Sequence, residues 1–343
     1  MNVTELEQTM KQLGATGKGI LAADESVATI TKRFTALNIQ STEDTRRDYR
    51  ELLITTPGLS DYIAGVILFE ETLNQKAHDG TPIPELLKKA GILPGIKVDK
   101  GLIIMTNTQD EQITQGLDGL AERLTEYKTK GARFAKWRAV YAISNKTPSK
   151  MVIKENAHGL ARYAAICQSV GIVPIVEPEI LLDGDHTLER CAEVSENVLH
   201  AVFNALYKNK VKLEYMILKP SMVINGSKCT TKATPEEVAK ATITVFRRTV
   251  PAAVPTINFL SGGQSSEQAT ANLNAMHTLY PNLPWNLSYS YARALQDYCM
   301  KTWAGNPKNV AAAQKAMAVR AKLNSLAATG KYKPTMEKET STA

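Results

Sequence analysis

The sequence predicts an α/β fold, a single-domain (β/α)8 barrel. Three observations lead there. Eight short apolar runs recur along 343 residues, helical patterns lie between most of them, and charged residues collect at the C-terminal ends of the runs. Strands alternating with helices imply βαβ units and a parallel sheet, and eight such units over this length suit a closed barrel. A doubly wound sheet is the runner-up.

The runs are GILAA (19–23), IAGVILF (63–69), GILPGIKV (91–98), RFAKWRAV (133–140), GIVPIVEP (171–178), YMILKP (215–220), TINFLS (256–261) and PWNLSYS (284–290). Each has the length of a buried strand. Between them, LDGLAERLTEYKTKG sets Leu117, Leu120, Leu124 and Tyr127 on one helical face, with Gly131 as a stop. Residues 187–208 align Val194, Val198, Leu199, Val202, Phe203 and Leu206. The third helical stretch, TPEEVAKATITVFRRT, opens with Thr234 as N-cap, Pro235 at the first helical position and Glu237 three residues after the cap. No composition break divides the chain. Residues 1–330 are expected to form the barrel, and the polar stretch 331–343 a flexible tail.

Hydrophobic residues make up 43% of the chain, enough for a large core. Lys+Arg number 41 against Asp+Glu 34, and the net charge of +7 points to an anionic ligand. The basic residues are scattered; the densest pairs, Arg46-Arg47 and Arg247-Arg248, lie on amphipathic helical patterns. A specific nucleic-acid partner is therefore not expected. Four isolated cysteines form no CxxC motif, which fits a reducing, cytoplasmic setting. The start, MNVTELEQTMKQLG, lacks a signal-peptide layout, and no apolar run approaches the roughly 18–20 residues of a membrane span.

The charged residues carry the chemistry. Asp24 follows the first run, Lys97 and Asp99 end the third, and Lys136 and Arg138 lie in the fourth. Glu177 and Glu179 end the fifth, Lys219 the sixth, and Arg293 follows the eighth. In this fold the C-terminal strand ends form the active site. A strand-end lysine ordinarily lays its stem along the core and extends its ammonium to water. Crowded by other cations, a lysine loses proton affinity and becomes an amine that attacks carbonyls. Carboxylates nearby supply the acid and base that such chemistry needs. The competing reading is a salt-bridge network that seals the top of the barrel. In FLSGGQSSEQA, Ser261, Gly262 and Gly263 stand between a strand and a helix, where backbone N–H groups cradle an oxyanion. Arg293 adds a bidentate phosphate ligand. The five histidines form no HxH or HxxxH pair, so no metal is expected, and no strand is followed by GxGxxG, so no cofactor is expected either.

These residues stand in recognisable motifs: GKGILAADES, GVILFEETL, GIKVDKG, QGLDGL, FAKWR, ARYAAICQ, GIVPIVEPEIL, LKPSMV, RRTVP, FLSGGQS, SYARALQ and NSLAATGKY. Together, from about residue 17 to 332, they closely resemble the class I fructose-1,6-bisphosphate aldolases. The resemblance implies a metal-independent TIM-barrel lyase of glycolysis and gluconeogenesis. It would cleave fructose 1,6-bisphosphate reversibly to dihydroxyacetone phosphate and glyceraldehyde 3-phosphate, commonly as a homotetramer. By the match, Lys219 looks like the Schiff-base lysine and Asp24 like the base at the C4 hydroxyl. Glu177 resembles the acid/base of the iminium steps, supported by Glu179, and Lys136 the cation that crowds the amine and steers Glu177. Ser261, Gly262 and Arg293 match the 1-phosphate site, with Gly263 beside them in the loop. Ser26, Thr29, Lys32, Lys97 and Arg138 match positions near the substrate or its 6-phosphate.

The chain departs from the family pattern at three places. Val27 and Ala28 replace a hydroxyl and a glycine, Ala292 stands for the glycine before the phosphate arginine, and the end is ETSTA where many members carry a functional tyrosine. The tail is therefore expected to carry no catalytic group, and its removal from residue 333 to change cleavage less than about tenfold. Two other readings stay open: a Schiff-base aldolase for another sugar phosphate, and a non-catalytic scaffold of the same fold.

Overall fold

A computed structural model describes residues 3–339. Eight parallel strands close into a barrel in sequential order: β1 (Gly19–Ala23), β2 (Ile63–Leu68), β3 (Leu93–Lys97), β4 (Phe134–Tyr141), β5 (Val173–Ile180), β6 (Ile217–Leu218), β7 (Thr256–Phe259) and β8 (Asn286–Tyr291). All eight expected runs become strands. Residue-by-residue pairing continues from β1 to β2 on one side and β8 on the other, so no edge is left open. The strands are fully or almost fully buried, as a sheet covered by helices outside and packed side chains within requires.

Strand β6 is the shortest, because a 3-10 turn at Leu213–Tyr215 takes the front of the expected run. Its ladder nevertheless reaches Lys219, whose backbone N–H donates to Val176 O at 2.8 Å. Pro220 has no N–H to offer, and the pairing stops there.

The three helices argued from periodicity form at Leu120–Thr129, Leu188–Lys208 and Pro235–Thr249. Leu117 lies ahead of the first of them, whose entry is made by Gly119 in the left-handed region. The capping box forms as expected: Glu237 N–H donates to Thr234 Oγ1 and Thr234 N–H to Glu237 Oε2, at 3.3 and 2.8 Å. Two features have no counterpart in the sequence reading. The helix Val3–Leu13 closes the N-terminal end of the barrel, where Leu6, Met10 and Leu13 pack on Ile20, Phe134, Val173 and Ile217. A two-stranded antiparallel hairpin, Leu102–Ile104 with Gln112–Thr114, extends from the top of β3. Its Thr114 hydroxyl holds it to β4 by donating to Arg138 O.

Of the tail expected at 331–343, residues 340–343 lie outside the described residues. Residues 331–339 dock on the barrel. Lys331 N–H donates to Leu326 O and Tyr332 N–H to Asn274 Oδ1, and the Tyr332 ring is buried. Glu337, in the 3-10 turn Pro334–Glu339, pairs at 2.5 Å with Arg320, a cation wholly inaccessible to water. The cut at residue 333 therefore removes the counter-ion of a buried charge. A chain ending at Tyr332 is expected to lose about 3–5 kcal/mol, the usual cost of stripping one partner from a buried pair. Urea unfolding reads this as a lower midpoint; an unchanged midpoint would mean that Arg320 finds another counter-charge.

Candidate active site

Parallel strands in a closed barrel all end on one side, so every side chain at a strand's C-terminal end is delivered to one mouth. A cavity of about 420 Å³ opens there. Side chains along a strand alternate between faces; Lys136 with Arg138 on β4, and Glu177 with Glu179 on β5, therefore project to the same side. The register sets Lys97 beside Lys136 and Arg138 beside Glu177.

At the centre is a chain of four buried charges. Lys136 Nζ lies 2.7 Å from Asp24 Oδ2 and 3.3 Å from Glu177 Oε2. Glu177 Oε1 lies 3.2 Å from Lys219 Nζ. One carboxylate thus serves two ammonium positions. Burial alone pushes the Asp24 carboxyl up, but the charges of Lys136 and then Lys219, with the Lys136 hydrogen bond, outweigh it and hold the group at about 2. Burial pushes Lys136 down, and Asp24, Glu177 and Asp99 more than reverse that, leaving it a firmly protonated ammonium.

Two further pairs flank the centre. Lys97 Nζ holds Asp99 Oδ1 at 2.7 Å, and Arg138 Nε donates to Glu179. Six cations and five carboxylates line the cavity. The interior is thus close to neutral, and the pairs stand around an open cavity. They do not form the salt-bridge seal that was the alternative reading.

The glycine loop expected to cradle an oxyanion follows β7. Gly262 and Gly263 have φ of +54° and +89°, in the left-handed region that glycine enters without strain. A Cβ on Gly262 would stand 2.8 Å from Leu260, and one on Gly263 would stand 3.4 Å from the Arg293 guanidinium. The arginine at the start of the helix Arg293–Trp303 thus faces the glycine turn, and Ala292 before it keeps its backbone N–H. Gly263 itself is exposed and lies outside the cavity lining.

Ser26 caps the helix Val27–Thr35, accepting from Thr29 N–H at 3.3 Å, and both residues line the cavity. Lys32 does not; it is exposed. Its neighbour Arg33 faces the mouth instead. Positions 26, 29 and 33 share one helical face, and 32 is turned away from it. That spacing was readable in the sequence and singles out Arg33. Arg33 is held at 2.7 Å by Glu25, a buried carboxylate that also meets Arg50 at 2.8 Å and Gln296 Nε2 at 3.0 Å. Arg50, Gln296 and the cavity-lining Ser290 come from segments remote in sequence, and nothing local in the chain announces them. Asp99, a charged strand end in the sequence, joins the cavity as partner of Lys97. Twelve of the fourteen candidate residues line the cavity, all except Lys32 and Gly263. Among the described residues, no group of three or more His, Cys, Asp or Glu could hold a metal ion, and no helix is long and apolar enough to cross a membrane.

Comparison with known proteins places these residues in context. Residues 5–343 match the family model described as glycolytic fructose-bisphosphate aldolase class-I. The chain is 56% identical over 329 residues to "Fructose-bisphosphate aldolase 6, cytosolic" of Arabidopsis thaliana, covering 96% of this chain and 92% of that protein. It is 54% identical to "Probable fructose-bisphosphate aldolase class 1" of Xanthomonas campestris, covering 97% and 100%. A chloroplastic relative, fructose-bisphosphate aldolase 3 of Arabidopsis thaliana, is 55% identical over 98% of this chain and 85% of its own. Among solved structures, fructose-bisphosphate aldolase from Plasmodium falciparum, in complex with TRAP and a small molecule inhibitor, superposes with a TM-score of 0.95. It is 53% identical, over 96% of this chain and 95% of that one.

The depressed Asp24 carboxyl has a consequence for acid stability. Its folded value of about 2 lies below the ordinary 3.8, so its contribution is fully present above about pH 4 and is lost as pH falls towards 2. Asp24→Asn is expected to remove about 2 kcal/mol from that acid limb, measured by denaturant unfolding at a series of pH values. A limb of unchanged steepness would show that Lys136 does not hold this carboxylate.

Proposed function

The chain belongs to the family of class-I fructose-bisphosphate aldolases, and on that premise we propose the part that each residue at the barrel mouth takes in the reaction. The protein is a lyase that cleaves fructose 1,6-bisphosphate in glycolysis.

Lys219 is the nucleophile. The observation that carries this reading is the shared carboxylate: Lys136 has Asp24 and one oxygen of Glu177, whereas the ion pair of Lys219 is to the other oxygen of Glu177. Lys136 therefore keeps its proton, while Lys219 passes one to Glu177 Oε1, 3.2 Å away, and attacks as the free amine. Its Nζ attacks the C2 carbonyl carbon of the open-chain sugar. Glu177, carrying the proton taken from Lys219, protonates the oxygen, takes back a proton from the nitrogen, and returns it as the hydroxyl leaves as water, ending as the carboxylate. The product is an iminium between C2 and Nζ. Asp24, kept ionised by Lys136, accepts the proton of the C4 hydroxyl. The C3–C4 bond breaks, its electron pair moves into the iminium to form an enamine, and C4 departs as the aldehyde of glyceraldehyde 3-phosphate. Protonation at C3 and hydrolysis of the iminium then release dihydroxyacetone phosphate and restore Lys219.

Glu179 fixes Arg138, and Lys97 with Arg138 presents positive charge to the sugar hydroxyls and the far phosphate. Ser261, Gly262 and Arg293 hold one phosphate, with Gly263 shaping the turn. Ser26, Thr29 and Arg33 hold the other, Arg33 taking the part expected of Lys32. A homotetramer in the cytoplasm belongs to the same reading; the cytosolic name of a close relative supports the location, and sedimentation velocity tests the assembly.

Borohydride reduction in the presence of dihydroxyacetone phosphate, followed by peptide mapping, is expected to place the label on Lys219. Label on Lys136, or none at all, overturns the assignment. Arg33→Ala is expected to raise KM for the bisphosphate about 10- to 100-fold, the loss of one or two charge-assisted hydrogen bonds. Lys32→Ala should change it less than about threefold. The reverse ranking would return the phosphate to Lys32.

A further inference from the structure

Arg320 lies on the helix Val310–Ala327 without any access to water, and its counter-ion is supplied by the last turn of the described chain. The guanidinium has two kinds of partner. One terminal nitrogen holds Glu337 Oε2. The other donates to Ser266 O at 3.2 Å and to the Thr270 hydroxyl. Ser266 is the first residue of the helix Ser266–Leu279, which directly follows the 261–263 oxyanion loop. One planar cation therefore joins the chain's C-terminal segment to the start of the helix that carries this loop.

The same helical turn is braced from the other side. Tyr298 OH donates to Glu267 Oε1 at 2.5 Å, and Tyr298 belongs to the helix that begins with Arg293. Loop and arginine, the two halves of one phosphate site, are thus tied together through residues 266–270. Glu337 is itself fixed by Tyr332, whose hydroxyl donates to its Oε1 at 2.8 Å. The Glu267 carboxylate already feels the Arg320 charge, and without Glu337 it is the acidic group towards which that buried cation is drawn. Turning to it would compete with the Tyr298 bond and pull on Ser266.

We propose that Glu337 is a positioning residue for substrate phosphate. By neutralising Arg320, it leaves the guanidinium free to anchor Ser266 and Thr270, and so holds the glycine loop against Arg293. The proposal rests on the reading that this loop and Arg293 bind a phosphate, and it goes beyond that reading by giving the C-terminal segment a part in affinity without any contact with substrate.

The test is the kinetics of Glu337→Gln in the full chain, with inorganic phosphate as a competitive inhibitor. KM for the bisphosphate and the inhibition constant of phosphate are both expected to rise about tenfold, with kcat within about twofold. Should the buried, unpaired cation prevent folding, Arg320→Met combined with Glu337→Met removes both charges. That pair is expected to fold and to show the same raised KM, because the anchor on Ser266 is gone. Unchanged KM in either folded variant overturns the proposal, as does a fall in kcat that merely follows the folded fraction. Arg293→Ala is run beside them. If it leaves phosphate inhibition unaltered, the phosphate reading itself fails; if it weakens inhibition while Glu337→Gln does not, only the role of Glu337 fails.

Discussion

One carboxylate placed between two buried lysines is the constraint around which this barrel is built. Glu177 meets Lys136 through one oxygen and Lys219 through the other, at 3.3 and 3.2 Å. Charges removed from water are tolerated only when paired at short range, so three strands must hold their register closely. The residue-by-residue pairing of β4 with β5, and the ladder bond from Lys219 N–H to Val176 O, do this with backbone geometry. The arrangement also separates two lysines that local sequence makes alike. With Asp24 as a second partner, Lys136 is a fixed ammonium. Lys219 shares Glu177 with it and has no second carboxylate among its ion pairs, and the proposed division into a nucleophile and an acid rests on that difference.

The rest of the molecule keeps that centre wet on one side and dry on the other. At the N-terminal end, Leu6, Met10 and Leu13 fill the barrel with apolar contacts, and ions are excluded from that end by the cost of burial. At the C-terminal end the lining is almost balanced in charge, and the hydrogen-bonding capacity for anions is moved outward to the rim. There Gly262, Gly263 and Arg293 stand on one side and Ser26, Thr29 and Arg33 on the other. The rim cations are held from behind. Glu25 fixes Arg33 with help from Arg50 and Gln296, and the turn that bears the glycine loop is tied to Tyr298 and Arg320. Such second layers reduce the reorganisation needed when a doubly phosphorylated substrate arrives.

Local patterns determined a great deal. Apolar runs of strand length, the Thr234–Glu237 box and the stripe from Val194 to Leu206 are statements about neighbours within one turn or one strand, and the chain honours them. The strand-end charges were legible too, because a charge beside a buried run needs a reason. Motif resemblance then attached roles to Asp24, Lys136, Glu177 and Lys219. Tertiary structure decided what depends on closure. The choice of Arg33 over Lys32 follows from which face of a helix meets the mouth. The recruitment of Arg50, Gln296 and Ser290 needs segments far apart in the chain to arrive at one place. The docking of residues 331–339 turns on Arg320, which in sequence is one basic residue among 41 Lys and Arg. Only the packed helices deny it water and so oblige it to take Glu337 as its partner. Periodicity is encoded within a few residues, whereas the energy of a buried charge depends on everything around it, and that surrounding exists only once the barrel has closed.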